Sequence, residues 1–332
     1  MSKSHWTLIF KIGIAAGLIY WLTQSGRLDL SGMVLLAHPI FFIPCVLIVG
    51  IGLLAGTERW RLLMLSQGIH ITLWQCTQLV LIGTFFNYMM PGGVGGDLIK
   101  GYYIAQNSPE NKMKAVVSVL MDRLLGLFSM LLMAISVLLW ERSYLEASAE
   151  LRWIFYLLCI VFVGFLCFWT VVFSRRVYEW QIFRRILAHF AEHGSVRRLY
   201  HALVDYRHAK TTILPALGLS LLSQIGAVFF FYLCGQAMGF GDIPFEIYFF
   251  VVPVGFIIQA IPISPAGIGV GQAAFLFLFQ LATHQESSLG PAAITAFQVI
   301  TLLYGLAGAY FYLGISKKLK QAQQMTTAKG EL

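Results

Sequence analysis

The sequence predicts an all-α polytopic membrane protein, with six full transmembrane helices and two oppositely oriented re-entrant helical hairpins that form an inverted repeat. Three observations lead to this fold class. Of the 332 residues, 58% are hydrophobic and only 11% are charged, whereas soluble domains are about half apolar and a quarter charged. Apolar runs recur at lengths near the roughly 20 residues that a helix needs to cross a bilayer. Two of these runs are interrupted at their centres by glycine and proline.

Six uninterrupted segments are long enough to cross the membrane. They lie at 6–23, 39–57, 115–140, 152–174, 212–237 and 290–314. The first stays apolar to Leu22 and shows no small-x-small cleavage site. We therefore expect it to be a retained span rather than a signal peptide, and the chain 1–332 to form a single integral membrane domain.

Basic residues predict the orientation, because Lys and Arg concentrate in cytoplasmic loops. Arg59 and Arg61 follow the second span, and "KKLK" follows the last one. The loops at 238–246 and 284–289 contain no Lys or Arg. Both termini are therefore expected in the cytoplasm, with 316–332 as a cytoplasmic tail, and the protein in the cytoplasmic membrane of a bacterium.

The connector 175–210 carries eight Lys and Arg against three acids. Apolar residues recur in it at helical spacing from Trp180 to Phe190. This pattern is typical of an amphipathic helix that lies on an anionic cytoplasmic leaflet. A solvated basic loop that only sets topology is the alternative.

The two interrupted segments are 74–104 and 246–283. Each has two apolar pieces of about 10–17 residues, which are short for a span and suit a re-entrant hairpin. The first is expected to open to the cytoplasm and the second to the outside. Their breaks read "NYMMPGGVGGD" and "QAIPISPAGIGVGQ". Two such elements of opposite orientation indicate an inverted repeat, whose binding site lies near the midplane where the broken helices meet.

Proline and glycine in both breaks are interpreted as structural, because they end one half-helix and let the backbone bend. These residues are Pro91, Gly92, Gly93, Gly95 and Gly96 in the first break, and Pro262, Pro265, Gly267, Gly269 and Gly271 in the second.

Polar residues at the first break are candidates for holding an anionic group such as a phosphate. Asp97 is expected to cap the following half-helix, 98–104, whose other free N–H groups and dipole attract an anion. Lys100 would add a positive charge, and Asn87 offers both a donor and an acceptor. The alternative is that these residues build only a tight turn and a cap, with Lys100 extending to the interface.

Asp122 and Arg123 lie inside a predicted span, and charges there are functional candidates. Arg123 is expected to meet a lipid phosphate, and Asp122 to hold Arg123 or Lys100 in place. An ion pair that joins the hairpin to the span on the cytoplasmic side is the alternative. Arg59 and Arg61 are interpreted as topological anchors at the interface, with contact to a phosphate headgroup as the alternative.

Ser264 and Gln272 repeat this arrangement at the second break without charge. They would either bind the headgroup or satisfy the broken backbone. No catalytic residue, metal site, cofactor or nucleic-acid partner is predicted. The five cysteines are odd in number and lack CxxC spacing, which favours neither a disulfide framework nor a zinc site.

Four motifs in order, "ERWRLLM", "FFNYMMPGGVGGDLIKGYY", "SVLMDRLLGL" and "PISPAGIGVGQ", resemble the lysylphosphatidylglycerol synthase transmembrane-region family, the flippase-like UPF0104 group. The resemblance covers about 5–315 and implies a lipid translocase. In the best-known members, a fused aminoacyltransferase domain makes aminoacyl-phosphatidylglycerol, which the membrane part moves outward. We expect a stand-alone member without that domain, and therefore no lysyl transfer.

Two positions depart from the family pattern. Lys100 stands where an arginine is usual, and Gln272 stands where a glutamate is usual. If the family's carboxylate acts in coupling or headgroup recognition, Gln272 indicates a different lipid.

Three functions are weighed. The favoured one is a flippase that moves an anionic phospholipid or a polyprenyl-phosphate-type lipid through a groove between the two hairpins. The others are an integral-membrane lipid-linked transferase that uses Asp97 or Asp122, and a non-transporting partner of a glycosyltransferase or lipid synthase. The expected partners are membrane lipids, with a separate synthase or glycosyltransferase and a second copy of the chain as further candidates.

Overall fold

The computed structural model describes Tyr20 and residues 36–90, 94–108, 111–143, 146, 148–174, 194–285 and 287–330, without the side chains of 194–197, 200, 208 and 315–330. All regular structure within these ranges is helical. The predicted span 6–23 (apart from Tyr20), the connector residues 175–193, and Pro91, Gly92 and Gly93 lie outside the described residues.

The α-helices are named here in chain order. They are α1 (Pro39–Ser66), α2 (Leu73–Met89), α3 (Gly95–Asn107), α4 (Lys112–Trp140), α5 (Ala149–Phe173), α6 (Gly194–Val204), α7 (Lys210–Ala237), α8 (Phe245–Gln259), α9 (Val270–Thr283) and α10 (Leu289–Gly330). Two short 3₁₀ turns, Asp205–Ala209 and Pro265–Gly267, stand before α7 and before α9.

Five of the predicted spans are confirmed as long apolar helices, namely α1, α4, α5, α7 and α10. A sixth helical stretch that is long and apolar enough to cross runs over Pro265–Thr283, inside the second interrupted segment. The chain is thus a multi-pass membrane protein. Two boundaries differ from expectation: α1 continues to Ser66, and the backbone of α10 stays helical through most of 316–332.

Both interrupted segments consist of two helices with a break between them. The first helix of the first segment, α2, starts at a capping box: the Thr72 hydroxyl accepts from the Gln75 N–H at 3.3 Å, and the Gln75 side chain accepts from the Thr72 N–H at 3.2 Å. These two bonds satisfy N–H groups that have no partner within the helix. The break that follows lies between Met89 and Gly95.

The main contacts pair helices from the two halves of the chain: α1 packs along α7, α2 along α10, and α4 along α8. In the α2–α10 contact a side chain on Gly308 would lie 2.1 Å from the Leu81 carbonyl oxygen. The two backbones therefore touch, which only glycine allows. The largest apolar core includes the fully buried Phe230 and Phe231 of α7 and Phe275 of α9.

The described end of the connector is helical over Gly194–Val204 and docks on the bundle. The hydroxyl of buried Tyr206 donates to the Leu63 carbonyl at 3.2 Å, and Lys114 pairs with Asp205 at 3.2 Å. This part of the connector therefore packs against the end of α1 that carries the arginines and against the start of α4.

Candidate functional site

The first break is closed by a backbone contact between α2 and α3. A side chain on Gly96 would lie 2.1 Å from the Gly83 carbonyl oxygen, so the helices touch there without side chains between them. The Asn87 side-chain oxygen accepts from the Gly96 N–H at 2.9 Å. Asn87, on α2, therefore satisfies an N–H group at the start of α3, which has no partner within its own helix.

Asp97 does not cap the second half-helix, and that expectation is corrected. The helix begins at Gly95 after Val94, without a side-chain cap, and Asp97 lies in its first turn. Its carboxylate instead binds two cations: Oδ1 lies 2.8 Å from Lys100 Nζ, and Oδ2 accepts from Arg123 Nε. Because Asn87 already bonds an N–H at the helix start, the carboxylate of Asp97 is available to these cations.

Asp97, Lys100 and Arg123, together with the Arg59–Asp122 pair described below, are called the charged cluster. Arg123 is its most accessible member. Its side chain is 50% exposed, against 13% for Asp97 and 11% for Lys100. Only Nε of its guanidinium has a hydrogen-bond acceptor among the described residues. The two terminal nitrogens of Arg123 are therefore without an acceptor in the described part of the chain, and a planar guanidinium fork is suited to carboxylate and phosphate oxygens.

Arg59 and Asp122 form a second, deeper ion pair. Arg59 Nε lies 2.7 Å from Asp122 Oδ1, and Arg59 Nη1 donates to the Ser220 hydroxyl at 2.8 Å. Both side chains are almost entirely buried. Asp122 thus pairs with Arg59, whereas the sequence predicted that it would hold Arg123 or Lys100. Arg59 links α1, α4 and α7 inside the bundle, whereas the sequence predicted an anchor at the interface.

Trp60 lies beneath Lys100. The ammonium of Lys100 is 5.1 Å from the ring centroid of Trp60, within cation–π range. The indole is fully buried and donates from Nε1 to the Ser118 hydroxyl at 3.2 Å. Lys100 is thereby held between an aromatic face and the Asp97 carboxylate and does not extend to the interface.

Arg61 stands apart from the cluster. It makes a bidentate pair with Glu58, with both bonds at 2.6 Å, one turn away on the same helix. This local pair neutralises its charge within α1. Arg61 therefore provides a control arginine for tests of Arg123.

The charged cluster lies well inside the helices. Arg123 stands eleven residues after Lys112, where α4 begins, and this spacing corresponds to about 16 Å along the helix axis. A hydrocarbon core is about 30 Å thick. Arg123 therefore lies within a helix that is long and apolar enough to cross the membrane, and not in a loop.

The second break, between α8 and α9, contains three residues with positive φ angles and is held by side-chain amide hydrogen bonds. Ala266, Gly267 and Gly269 have positive φ angles of 49°, 70° and 83°, a region that glycine enters at no steric cost. The Gln272 side-chain oxygen accepts from the Gly269 N–H at 2.7 Å, and Ser264 is buried. Within the described residues the Ser264 hydroxyl has no hydrogen-bond partner.

A relay of side-chain amides joins the second break to α10, and a tyrosine hydroxyl joins α10 to α2. Gln272 Nε2 donates to Gln298 Oε1 at 2.8 Å, and Gln298 Nε2 donates to the Ala266 carbonyl at 3.4 Å. The Tyr88 hydroxyl, beside the first break, donates to the Gln298 carbonyl at 2.7 Å. The end of α2 also packs on the turn Pro265–Gly267. The C-terminal part of α2, which precedes the first break, therefore contacts the second break.

The sequence did not single out the residues that make these links. Tyr88 is adjacent to Asn87, and Gln259 opens the second motif, so both could have been found there. Ser220 and Gln298 are uncharged polar residues among others in their apolar helices, and no local pattern marks them. Trp60 lies within the motif "ERWRLLM", but nothing in that motif indicates its contact with Lys100.

An apolar cavity of about 270 Å³ lies between α1, α2 and α10. Leu47, Leu54, Val80 and Tyr304 contribute to its walls, and no charged side chain lines it. It is therefore separate from the charged cluster and suits hydrocarbon rather than a headgroup.

Comparisons with known proteins agree with this architecture. The family model described as "Lysylphosphatidylglycerol synthase TM region" matches residues 8–308. A UPF0104 membrane protein of Methanothermobacter thermautotrophicus (strain Delta H) is 23% identical over 339 residues, which cover 96% of this chain and 98% of the relative. No solved structure matches the chain. The chain belongs to the lysylphosphatidylglycerol synthase transmembrane-region family.

Proposed function

We propose that this protein is a lipid translocase that passes an anionic headgroup, such as a phospholipid phosphate or a polyprenyl phosphate, between the two helix breaks. The observation that carries the proposal is Arg123: it is half exposed at membrane depth, and its terminal nitrogens have no partner among the described residues. Charges placed at such depth are costly and mark a pathway or a binding site by default.

The charge balance of the cluster favours an anion. Among the described residues it contains three cationic side chains, Arg59, Lys100 and Arg123, and two carboxylates, Asp97 and Asp122. One positive charge is therefore unmatched. In a medium of low dielectric an unmatched charge is unfavourable, and a phosphate oxygen at the Arg123 terminal nitrogens would compensate it with charge-assisted hydrogen bonds.

The helix pairing supports an inverted repeat of two re-entrant hairpins. The first hairpin, α2 and α3, packs through α2 on α10, which follows the second hairpin. The second hairpin, α8 and α9, packs through α8 on α4, which follows the first. The equivalent helices α1 and α7 pack on each other. This reciprocal arrangement is what a pseudo-two-fold axis in the membrane plane produces, and such repeats hold their substrate where the broken helices meet.

The proposed setting is the cytoplasmic membrane of a bacterium, with both termini in the cytoplasm. The distribution of Lys and Arg supports this orientation. No Lys or Arg lies between Lys210 and Lys317, so the loops at 238–246 and 284–289, both expected outside, contain neither residue, whereas α1 carries arginines near its C-terminal end, which is expected on the cytoplasmic side. The first break would then open to the cytoplasm and the second to the outside.

We propose transport rather than chemistry on the lipid. A transferase needs a carboxylate or a histidine that is able to exchange a proton with substrate. Both candidate carboxylates are engaged, Asp97 by Lys100 and Arg123, and Asp122 by Arg59. These ion pairs suit the holding of cations more than general acid–base catalysis.

A reconstitution experiment tests the proposal. Purified protein in liposomes is compared with protein-free liposomes, using fluorescent anionic phospholipids, a fluorescent polyprenyl phosphate and a zwitterionic phospholipid that are quenched from outside. We expect faster exchange between leaflets for at least one anionic lipid. Equal rates with and without protein across all anionic probes would refute translocation, and a new lipid species detected by mass spectrometry would favour the transferase.

A further inference from the structure

Hydrogen bonds fix the orientation of the side-chain amides at the second break. The amide relay fixes the direction of each bond, because it starts at the Gly269 N–H, which can only donate, and ends at the Ala266 carbonyl, which can only accept. Gln259 Nε2 also donates to this carbonyl, at 3.0 Å. The orientation of the Gln259 amide is thereby fixed, and its oxygen points away from that bond.

Two side-chain oxygens at this turn are buried and lack partners within the described chain. They are Gln259 Oε1 and the hydroxyl oxygen of Ser264, whose residue is only 1% exposed. The Gln259 side chain lies across the turn: its Cγ would be 2.2 Å from a side chain on Gly267. Leaving such groups unsatisfied costs about 1–3 kcal/mol each. A bound species therefore fits here better than empty space.

The surroundings favour a positive species. Gln259 is the last residue of α8, and the C-terminal end of a helix carries partial negative charge. Among the last four carbonyls of α8, those of Phe256 and Ile258 accept from the N–H groups of Ala260 and Ile261, whereas those of Ile257 and Gln259 have no backbone donor in the described chain. No Lys or Arg occurs between Lys210 and Lys317, so this half of the protein supplies no basic side chain of its own to the turn. Unwound backbone and helix C-termini of this kind coordinate Na⁺ in transporters with broken helices.

We infer that the second break binds a monovalent alkali cation through Ser264 Oγ, Gln259 Oε1 and backbone carbonyls at the end of α8. The absence of a carboxylate among these oxygen donors favours a monovalent ion over Ca²⁺ or Mg²⁺, whose sites use carboxylates. The structure then has opposite preferences at its two breaks, for an anion at Arg123 and for a cation at Ser264. A role of the cation in driving lipid movement rests on the proposed function, whereas binding itself does not.

Equilibrium dialysis of the detergent-purified full chain tests the site, against radiolabelled Na⁺ and, in a separate series, against radiolabelled Rb⁺ as a probe for K⁺, in choline chloride at constant ionic strength. We expect saturable binding near one ion per chain. Loss of one of the ligands in Ser264→Ala or in Gln259→Leu should weaken it by about tenfold, equivalent to about 1.4 kcal/mol. Ser136→Ala is the matched control, because that exposed hydroxyl bonds the Leu132 carbonyl of its own helix; its affinity should equal that of the wild type.

Absence of saturable Na⁺ binding and of K⁺ binding in the wild type would mean that only water fills the turn, and would overturn the proposal. So would unchanged affinity in both Ser264→Ala and Gln259→Leu. The wild-type measurement decides even if one variant fails to fold. Because the assay contains no lipid movement, its failure leaves the translocase proposal standing, and failure of translocation leaves the ion site standing.

Discussion

The carboxylate of Asp97, in the first turn of α3, accepts from Nε of Arg123 on α4 and leaves both terminal nitrogens of that guanidinium without a partner in the described chain. The bond fixes the guanidinium relative to the first break. It also joins α3, which follows the first break, to α4. Under the proposed function, this geometry makes Arg123 a pre-oriented ligand for an anion as well as a link between α3 and α4.

The buried Arg59–Asp122 pair should contribute more to the free energy of unfolding than the more exposed Glu58–Arg61 pair. We predict that Asp122→Asn lowers the free energy of unfolding by about 3–5 kcal/mol, because a buried arginine is left without its counter-charge. Thermal or denaturant unfolding in detergent measures this. Glu58→Gln, which breaks the more exposed pair with Arg61, should cost at most about 1 kcal/mol. Similar losses in the two variants would contradict the buried role of Arg59.

The close crossing of α2 and α3 predicts a strict requirement for glycine at position 96. Gly96→Ala should destabilise the protein by about 1–3 kcal/mol, because the added methyl would overlap the Gly83 backbone. Gly164→Ala on α5 is the matched control, since nothing lies within 4 Å of a side chain there. It should be neutral or stabilising by up to about 1 kcal/mol. Thermal midpoints in the same detergent compare them, and a neutral Gly96→Ala would mean that the helices do not touch.

The hydroxyl of Tyr88 should couple the two breaks. Tyr88→Phe removes the bond to the Gln298 carbonyl, and Tyr304→Phe removes a similar bond to the Val46 carbonyl at 3.0 Å. Each substitution should cost about 1 kcal/mol of stability. Only Tyr88→Phe should slow lipid exchange in liposomes, because Tyr304 connects α10 to α1 and not to a break. Equal exchange rates in the two variants would show that the Tyr88 bond is only structural.

Much of the fold could be predicted from the sequence, because membrane spans are set by length and hydropathy. The apolar runs at 39–57, 115–140, 152–174, 212–237 and 290–314 all correspond to helices. Their ends were less predictable: α1 continues past Arg59 and Arg61 to Ser66, because a helix ends by capping and packing rather than where apolar composition stops.

The sequence predicts which charged residues belong to the candidate site, but not which of them form ion pairs with each other. Asp97, Lys100, Asp122 and Arg123 stood out as charges in apolar segments, yet the sequence does not say which carboxylate meets which cation. Asp97 pairs with both Lys100 and Arg123, and the side chain of Asn87, not that of Asp97, accepts from an N–H group at the start of α3. Contacts between residues far apart in sequence, such as Arg59 with Ser220, depend on packing that no local pattern encodes.

The most direct measurement of the central claim compares two arginine variants. The rate of exchange of a fluorescent anionic phospholipid between leaflets is measured in liposomes that contain equal amounts of folded Arg123→Gln or Arg61→Gln protein. The account predicts that Arg123→Gln slows exchange by about tenfold or more, equivalent to about 1.4 kcal/mol of lost stabilisation, and that Arg61→Gln matches the wild type. Equal rates for the two variants would contradict it.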